Sequence, residues 1–382
     1  MTLKVAIVGG GAIGSAIASF VAGHPKFSGE VCVVERDPSY KVASSALSGS
    51  AIRQQFSTPV NIELSRFGIA FLRTISADIG LREPGYLFLA TGATLSTLQA
   101  VHRLQRQHGV EVALLEPKAL SARFPWLSTE GIAAGSLGLS GEGWFDGYLL
   151  LQAFRRRAVA LGVKYLTQEA TGFVRTGGTV NAVVLGDGSR VPCDVAVNAA
   201  GPWAASIAAM LDIELPVRAR RRTIFVFACR DAVPDCPLVI DPSGVYFRPE
   251  GAQFIGGTSP KEGEADPDDL PLEVDYTRFD EVIWPALARR VPVFQAVKVT
   301  GGWSGYYELN TLDHNGIVGP HPAFSNVFFA NGFSGHGLQH APGVGRGIAE
   351  LIVDGGYRTL DLSPLSFDRI LARRPLHELN VI

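Results

Sequence analysis

The 382-residue sequence has little of what marks several classes of protein. It has four cysteines (Cys32, Cys193, Cys229 and Cys236), none at a C-x-x-C spacing, which argues against a zinc site or a disulfide framework. Cys32 and Cys193 fall in apolar strand-like runs and read as small buried hydrophobes in a reducing compartment. No uninterrupted apolar run is long enough to span a bilayer, so no integral membrane segment is expected. The N-terminus enters a strand at once, without a basic segment, apolar run and cleavage site, and the expected location is cytoplasmic. Neither sign of charge is in excess: 34 Lys+Arg against 36 Asp+Glu leave a net −2. Nothing in that balance points to a nucleic-acid or acidic-membrane partner. The one basic run, Arg-Ala-Arg-Arg-Arg at 218–222, reads as a solvated or phosphate-facing turn. No internal repeat is visible.

What the chain does have is apolar material, 47% of its residues, enough for one large or two smaller domains. Residues 5–8 and 31–34 are short apolar runs. Between them Ile13, Ile17, Phe20 and Val21 share one helical face, so the segment reads as a βαβ unit with parallel strands. Thr58-Pro59 opens a second helix, with Thr as cap and Pro at the first position. Leu64, Phe67, Phe71, Leu72 and Ile75 form its buried stripe. A strand at 86–90, a helix at Leu95–Gln107 and turns rich in Gly, Pro and Ser belong to a second domain. A helix around 149–161 returns to the first. Residues 182–185 and 191–197 flank Gly186-Asp187-Gly188 as a hairpin. Residues 225–227, 245–247 and 254–255 are strand candidates of an antiparallel sheet. The acidic, proline-containing stretch 262–271 reads as a surface loop. A strand at 327–330, a glycine-rich loop at 331–340 and a helix bearing Val344, Ile348, Leu351 and Ile352 close the chain.

Gly9-Gly10-Gly11-Ala12-Ile13-Gly14 contains G-x-G-x-x-G. Gly9 permits the turn off the strand, Gly11 lets a pyrophosphate approach the backbone, and Gly14 lets the helix lie close to the sheet. The helix start offers free N–H groups and the positive end of its dipole to phosphates. Glu35 ends the second strand, where a carboxylate accepts from adenosine ribose hydroxyls. Strand, helix and acid in register make this a dinucleotide site, and the acid disfavours a 2′-phosphate. They do not separate a nicotinamide from a flavin dinucleotide, so an NAD-linked dehydrogenase is one alternative.

Five further segments resemble the D-amino-acid oxidase superfamily of FAD enzymes, which includes sarcosine oxidase, glycine oxidase and dimethylglycine dehydrogenase. They are Ser44-Ser45-Ala46-Leu47-Ser48-Gly49-Ser50-Ala51-Ile52-Arg53-Gln54-Gln55-Phe56; Asn198-Ala199-Ala200-Gly201-Pro202-Trp203; Val245-Tyr246-Phe247-Arg248-Pro249; Gly305-Tyr306-Tyr307-Glu308 with Asp313-His314-Asn315; and Asn331-Gly332-Phe333-Ser334-Gly335-His336-Gly337-Leu338-Gln339. Their order matches as well, so the resemblance spans nearly the whole chain. The first segment is most similar to the branch of FAD-dependent oxidoreductase domain-containing proteins.

The resemblance implies an α/β fold: a discontinuous Rossmann-like FAD-binding domain (1–84, 146–220 and 300–382) and a substrate domain with a mixed or antiparallel sheet (85–145 and 221–299). It implies FAD contacts from Gly9, Gly11, Ala12, Ile13 and Gly14, from Glu35 and Arg36, and from Ser44 and Ser45 at the pyrophosphate. Val174 would hold the adenine through its backbone, with Ala200, Gly201 and Trp203 along the dinucleotide. Gly335, His336, Gly337, Leu338 and Gln339 would lie beside the pyrimidine end of the isoalloxazine. Main-chain N–H groups of such a loop stabilise charge on a reduced flavin, and glycine permits the close approach. Relatives that attach FAD covalently use a cysteine near 305–313 or a histidine in the early serine-rich loop. This chain has neither, so non-covalent FAD is expected.

Oxidation of an amino acid at its C–N bond needs an uncharged amine, its α-carbon over the flavin, and an anchor for the carboxylate, best supplied by an arginine fork. Arg53 matches a carboxylate-binding arginine of the sarcosine oxidase branch; the alternative is a surface or pyrophosphate-facing arginine. Arg248 is a second candidate, against an exposed strand-end arginine. Tyr246 and Tyr307 either close the pocket or pack in the core. His336 either touches the flavin edge or packs as a loop histidine. Gln339 stands where sarcosine oxidases carry a carboxylate-binding lysine. Ile255 falls at the position of their oxygen-activating lysine, with Lys261 in the nearby loop, which leaves O2 or another electron carrier open as acceptor. N-substituted glycines such as sarcosine, dimethylglycine or iminodiacetate lead as substrates, ahead of D-amino acids and 2-hydroxy acids. A flavoprotein acting in assembly or electron transfer is the non-catalytic alternative. Oligomeric state stays open.

Overall fold

A computed structural model describes residues 2–261 and 263–379; Met1, Glu262 and residues 380–382, which the readings above include in their segments, lie outside it. Strand β1 (Leu3–Val8), helix α1 (Ala12–Ala22) and strand β2 (Gly29–Glu35) form the expected βαβ unit. Helix α2 (Pro59–Thr74) follows, then strands β3 (Lys164–Thr167) and β4 (Val195–Asn198). Strands β5 (Ile317–Pro320) and β6 (Val327–Asn331) and helix α3 (Gly337–Asp354) complete this layer. The six strands lie in the order β5-β6-β4-β1-β2-β3, parallel except for β5. Central strands of such a sheet are covered on both faces, which is why β1 and β4 read as unbroken apolar runs. Helices α1 and α3 cross so closely that a Cβ on Gly345 would fall 2.9 Å from Ala16.

The second layer is an eight-stranded mixed sheet: Lys298–Asn310, Val217–Ala228, Gln253–Gly257, Tyr246–Glu250, Leu238–Ile240, Tyr86–Ala90, Ala134–Gly138 and Val112–Leu115, in spatial order. Leu238–Ile240 and Tyr86–Ala90 pair parallel and the other neighbours antiparallel. Its two longest strands pair from Val217↔Asn310 to Ala228↔Lys298. Residues 300–310 and 217–220, placed by the sequence reading with the nucleotide-binding segments, therefore lie in this sheet. The hairpin of Thr179–Leu185 and Arg190–Pro192 forms with Ala170–Thr176 a separate three-stranded sheet.

Two local expectations change. Thr58 sits at the start of α2 but makes no side-chain cap; its hydroxyl donates to Glu378 Oε2 at 2.9 Å. The basic run 218–222 is not a turn but part of the Val217–Ala228 strand. Asp266 takes Arg222 in two 2.8 Å hydrogen bonds, and Arg220 lies 3.3 Å from Asp268. The acidic loop neutralises the basic strand within the molecule. Among the described residues, no helix is long and apolar enough to cross a membrane.

Candidate active site

Two cavities meet where the two sheets face one another. They share Ala12, Ile13, Ser44, Ser45 and Glu308 as walls, so they form two halves of one channel.

The first half is built on the C-terminal ends of β1, β2 and β4, the place where an open parallel sheet binds ligands. Gly9 adopts φ +100°, and a Cβ there would lie 2.4 Å from Ala199 O. Gly14 lies behind the wall: its Cβ would fall 1.9 Å from Gly9 O, so glycine is what lets α1 start against the turn. Gly11, Ala12 and Ile13 line the half, and Ala12 N–H donates to Ser45 Oγ at 3.1 Å. Glu35 accepts from Gly10 N and Asp37 N, both at 2.8 Å, which fixes its carboxylate on the wall. The Arg36 guanidinium stacks 4.0 Å over the Trp203 ring, and both line the half with Ala200 and Gly201. Val174 does not line it. The wall there is Gln168, Glu169 and Ala170, at the start of the strand that carries Val174 further on. Tyr40, fully buried at φ 56° beside Gly10, is a wall residue the sequence did not signal.

The second half lies between the start of α3 and the eight-stranded sheet. Arg53, Tyr246, Arg248, Tyr307, Gly335, His336, Gly337, Leu338 and Gln339 all line it, from four segments far apart in sequence. Apolar walls come from Leu238, Ile240 and Ile255. Arg53 is 2% exposed; its guanidinium lies 4.0 Å over the Phe56 ring and donates to Gln55 O (2.5 Å) and His336 Nε2 (3.1 Å). Because arginine only donates, His336 Nε2 must accept and its proton sits on Nδ1. Burial, with Arg53 beside it, holds His336 well below the usual histidine range, so it is neutral and its lone pair is engaged. Gln339 Oε1 accepts from Arg53 N at 2.9 Å, which gives that side chain the task of holding the Arg53 loop. Arg248 donates to Pro249 O, Glu250 and Gly49 O, and stacks 5.0 Å from Trp144, while its buried Nε has no partner among the described residues.

Behind Arg53 lies Glu142, fully buried, another residue without a sequence signal. Its carboxylate accepts from Gln54 N (2.6 Å), Gln55 N (3.1 Å) and Gln55 Nε2 (2.8 Å). Burial pushes it up to about 7 against these bonds. Glu308, on the wall between the halves, is pushed up to about 8 by burial.

A glycine turn at a helix start suits a pyrophosphate, a fixed acid at the end of β2 suits a ribose diol, and a wide apolar and aromatic half beyond them suits a fused ring. The residues fit a flavin dinucleotide, and fold and site define a dinucleotide-dependent oxidoreductase. The sequence profile of the DAO family, described as FAD dependent oxidoreductase, matches residues 4–351. The chain belongs to that family and is an FAD-dependent oxidoreductase. It is 43% identical to FAD-dependent oxidoreductase domain-containing protein 1 of Xenopus laevis, over 99% of this chain and 84% of the relative. Mitochondrial dimethylglycine dehydrogenase of Homo sapiens is 26% identical over 92% of this chain and 42% of its own length. Among solved structures, L-proline dehydrogenase from P. horikoshii superposes with a TM-score of 0.87 at 26% identity, covering 97% of this chain and 98% of that one.

Proposed function

We propose that the protein oxidises the C–N bond of a small amino acid, most favourably a secondary amine such as an N-substituted glycine, to an imine that water then hydrolyses. The observation that carries this reading is the pair Arg53 and Arg248. Both are nearly fully buried on the wall of one half-channel that also holds Leu238, Ile240, Ile255, Tyr246 and Tyr307, and Arg248 Nε–H has no partner among the described residues. A buried guanidinium in such surroundings is a carboxylate receptor. Two relatives support the chemistry by name: one is a dimethylglycine dehydrogenase and one an L-proline dehydrogenase.

FAD, when bound, would supply the hydride acceptor. The chain's residues supply the rest. Arg53 and Arg248 hold the carboxylate and so fix the α-carbon. Leu238, Ile240 and Ile255 exclude water and favour the uncharged amine over the ammonium. Tyr246 and Tyr307 bound the same space with neutral phenols, both raised by burial. His336 Nε2 is committed to Arg53, so the amine enters already deprotonated rather than passing its proton to that ring. FAD is held without a covalent bond: the channel walls carry no cysteine among the described residues, and their histidine is the one bonded to Arg53.

The test is the visible spectrum of the purified protein, recorded anaerobically as sarcosine, dimethylglycine, iminodiacetate, proline, D-amino acids and 2-hydroxy acids are added in turn. Bleaching by the N-substituted glycines or proline is the expected result, and readmitted air then shows whether O2 reoxidises the flavin. Bleaching by a 2-hydroxy acid alone overturns the C–N assignment. A stable flavin that none of them bleaches moves the reading to electron transfer or assembly.

A further inference from the structure

We propose that Glu308 is a cofactor-contacting residue, gripping the polyhydroxylated ribityl segment of FAD where the channel passes from its nucleotide half to its reaction half. The inference rests on the channel holding FAD and not on the substrate reading.

A dinucleotide whose pyrophosphate lies at the Gly9–Gly14 turn and whose ring system fills the half walled by Arg53 and Arg248 must lay its linker across the walls common to both. Those walls are five residues. Ala12 and Ile13 offer no polar side chain. Ser44 Oγ donates its proton to Tyr306 O at 2.5 Å, and Ser45 Oγ accepts from Ala12 N at the turn. Glu308 is the remaining polar side chain and the one acid.

Its surroundings leave it open toward the channel. It extends from the Lys298–Asn310 strand on the same side as Tyr306, whose ring meets Trp203 of the nucleotide half edge-on. Its Oε2 accepts from Gly332 N at 3.2 Å, and the Phe333 main chain also donates to the carboxyl. On its flanks stand two glycines: a Cβ on Gly337 would lie 3.3 Å from Oε1, and one on Gly201 would lie 3.9 Å from Oε2. Both flanks are therefore bare backbone. The carboxyl ends up tethered to the loop that opens α3, facing the turn after β4, with no cation in contact with it among the described residues. Burial pushes it up to about 8, which favours the protonated form at neutral pH, and in that form it can both donate to and accept from a chain of hydroxyls. A neutral acid also avoids repulsion with the nearby pyrophosphate.

FAD and ADP separate this role from a structural one, because ADP carries the pyrophosphate, ribose and adenine but no ribityl chain. Apo-protein is titrated with FAD, read by quenching of flavin fluorescence, and with ADP, read by calorimetry, for the wild type, Glu308→Ala and Glu308→Gln. Losing a hydrogen bond of this kind corresponds to roughly tenfold in affinity. Glu308→Ala is expected to weaken FAD about tenfold while ADP changes less than about twofold. Glu308→Gln, which still donates and accepts, is expected to recover most of the FAD affinity. Glu308→Ser carries the same expectation as alanine, should the alanine variant not fold. FAD and ADP weakening together would make Glu308 a structural residue, and neither weakening would remove it from the cofactor site; either result overturns the proposal.

Discussion

Arg53→Ala tests how the reaction half holds its substrate. The guanidinium is 2% exposed, stacked on Phe56 and bonded to Gln55 O and His336, so it is fixed before any anion arrives. A fixed fork loses little freedom on binding, and a desolvated pair is stronger than an exposed one. Truncating one member of such a pair costs about 2–5 kcal/mol. At about 1.4 kcal/mol per decade, kcat/KM should fall by roughly thirtyfold to several thousandfold. Arg53 lines the reaction half and not the nucleotide half, so FAD content should hold. The assay is the anaerobic rate of flavin reduction against concentration of sarcosine and of its carboxamide, which keeps the amine and loses the charge. The wild type should prefer the acid strongly, Arg53→Ala should show little preference, and Arg53→Lys, which keeps the charge but not the fork, should fall between. A variant that keeps its flavin and the full wild-type preference refutes the reasoning. Loss of the flavin itself makes Arg53 a structural residue.

Other expectations follow from the same geometry. Gly9→Ala forces a side chain into φ +100° and against Ala199 O. The strain alone is about 1–3 kcal/mol, so the protein should purify flavin-poor with a lowered Tm; a normal flavin-to-protein ratio would contradict the turn geometry. Glu142 titrates near 7 in the fold against 4.5 in an open chain, so its burial lowers stability progressively as pH rises from about 4.5 to 7. The limit, 7 minus 4.5 pKa units, is on the order of 3 kcal/mol. Glu142→Gln should therefore lose ground to the wild type at pH 5 and recover it by pH 8 in urea unfolding, and parallel curves would refute the assignment. Acid precipitation should leave all of the flavin in the supernatant, whereas yellow pellet would reveal a covalent bond. kcat/KM should rise with pH through the pKa of the substrate's own ammonium group, and a profile independent of the amine's pKa would show that the protein takes up that proton itself.

The first βαβ unit was fully legible, because its signals are local: a period of 3.6, three glycines at fixed spacing and an acid at the end of the next strand. The reaction half was legible only through resemblance, since Arg53, Arg248, Tyr307 and His336 come from four separate segments and nothing in their local pattern brings them together. Strand partners are not written in a strand's own alternation, so the pairing of residues 300–310 with Val217–Ala228 in the eight-stranded sheet could not be read from the sequence. Thr58 has the chemistry of a cap but finds Glu378, 320 residues away. Val174 lies four residues along the strand that Ala170 begins, and the cavity wall is formed by residues 168–170, a difference of register that a strand's own pattern does not reveal. Glu142 looks like any surface glutamate in the sequence, and Glu308, though it falls in a segment that resembles the family, carries no sign there of its own role; burial, a tertiary property, sets both apart.

The strand order of the parallel sheet also governs how the protein is made. Strand β1 is synthesised first, yet its neighbour β4 begins at Val195 and the next, β6, at Val327. At roughly 5–20 residues per second, a ribosome spends tens of seconds between them. During that time β1 and β2 have half a sheet, with one edge able to pair with another chain. The loop that closes over the reaction half, at 335–339, emerges almost last. A complete channel therefore needs nearly the whole polypeptide, and a chain cut short before β5 would lack both β5 and β6 and leave β4 with an open edge, prone to aggregation or to clearance by chaperones and proteases.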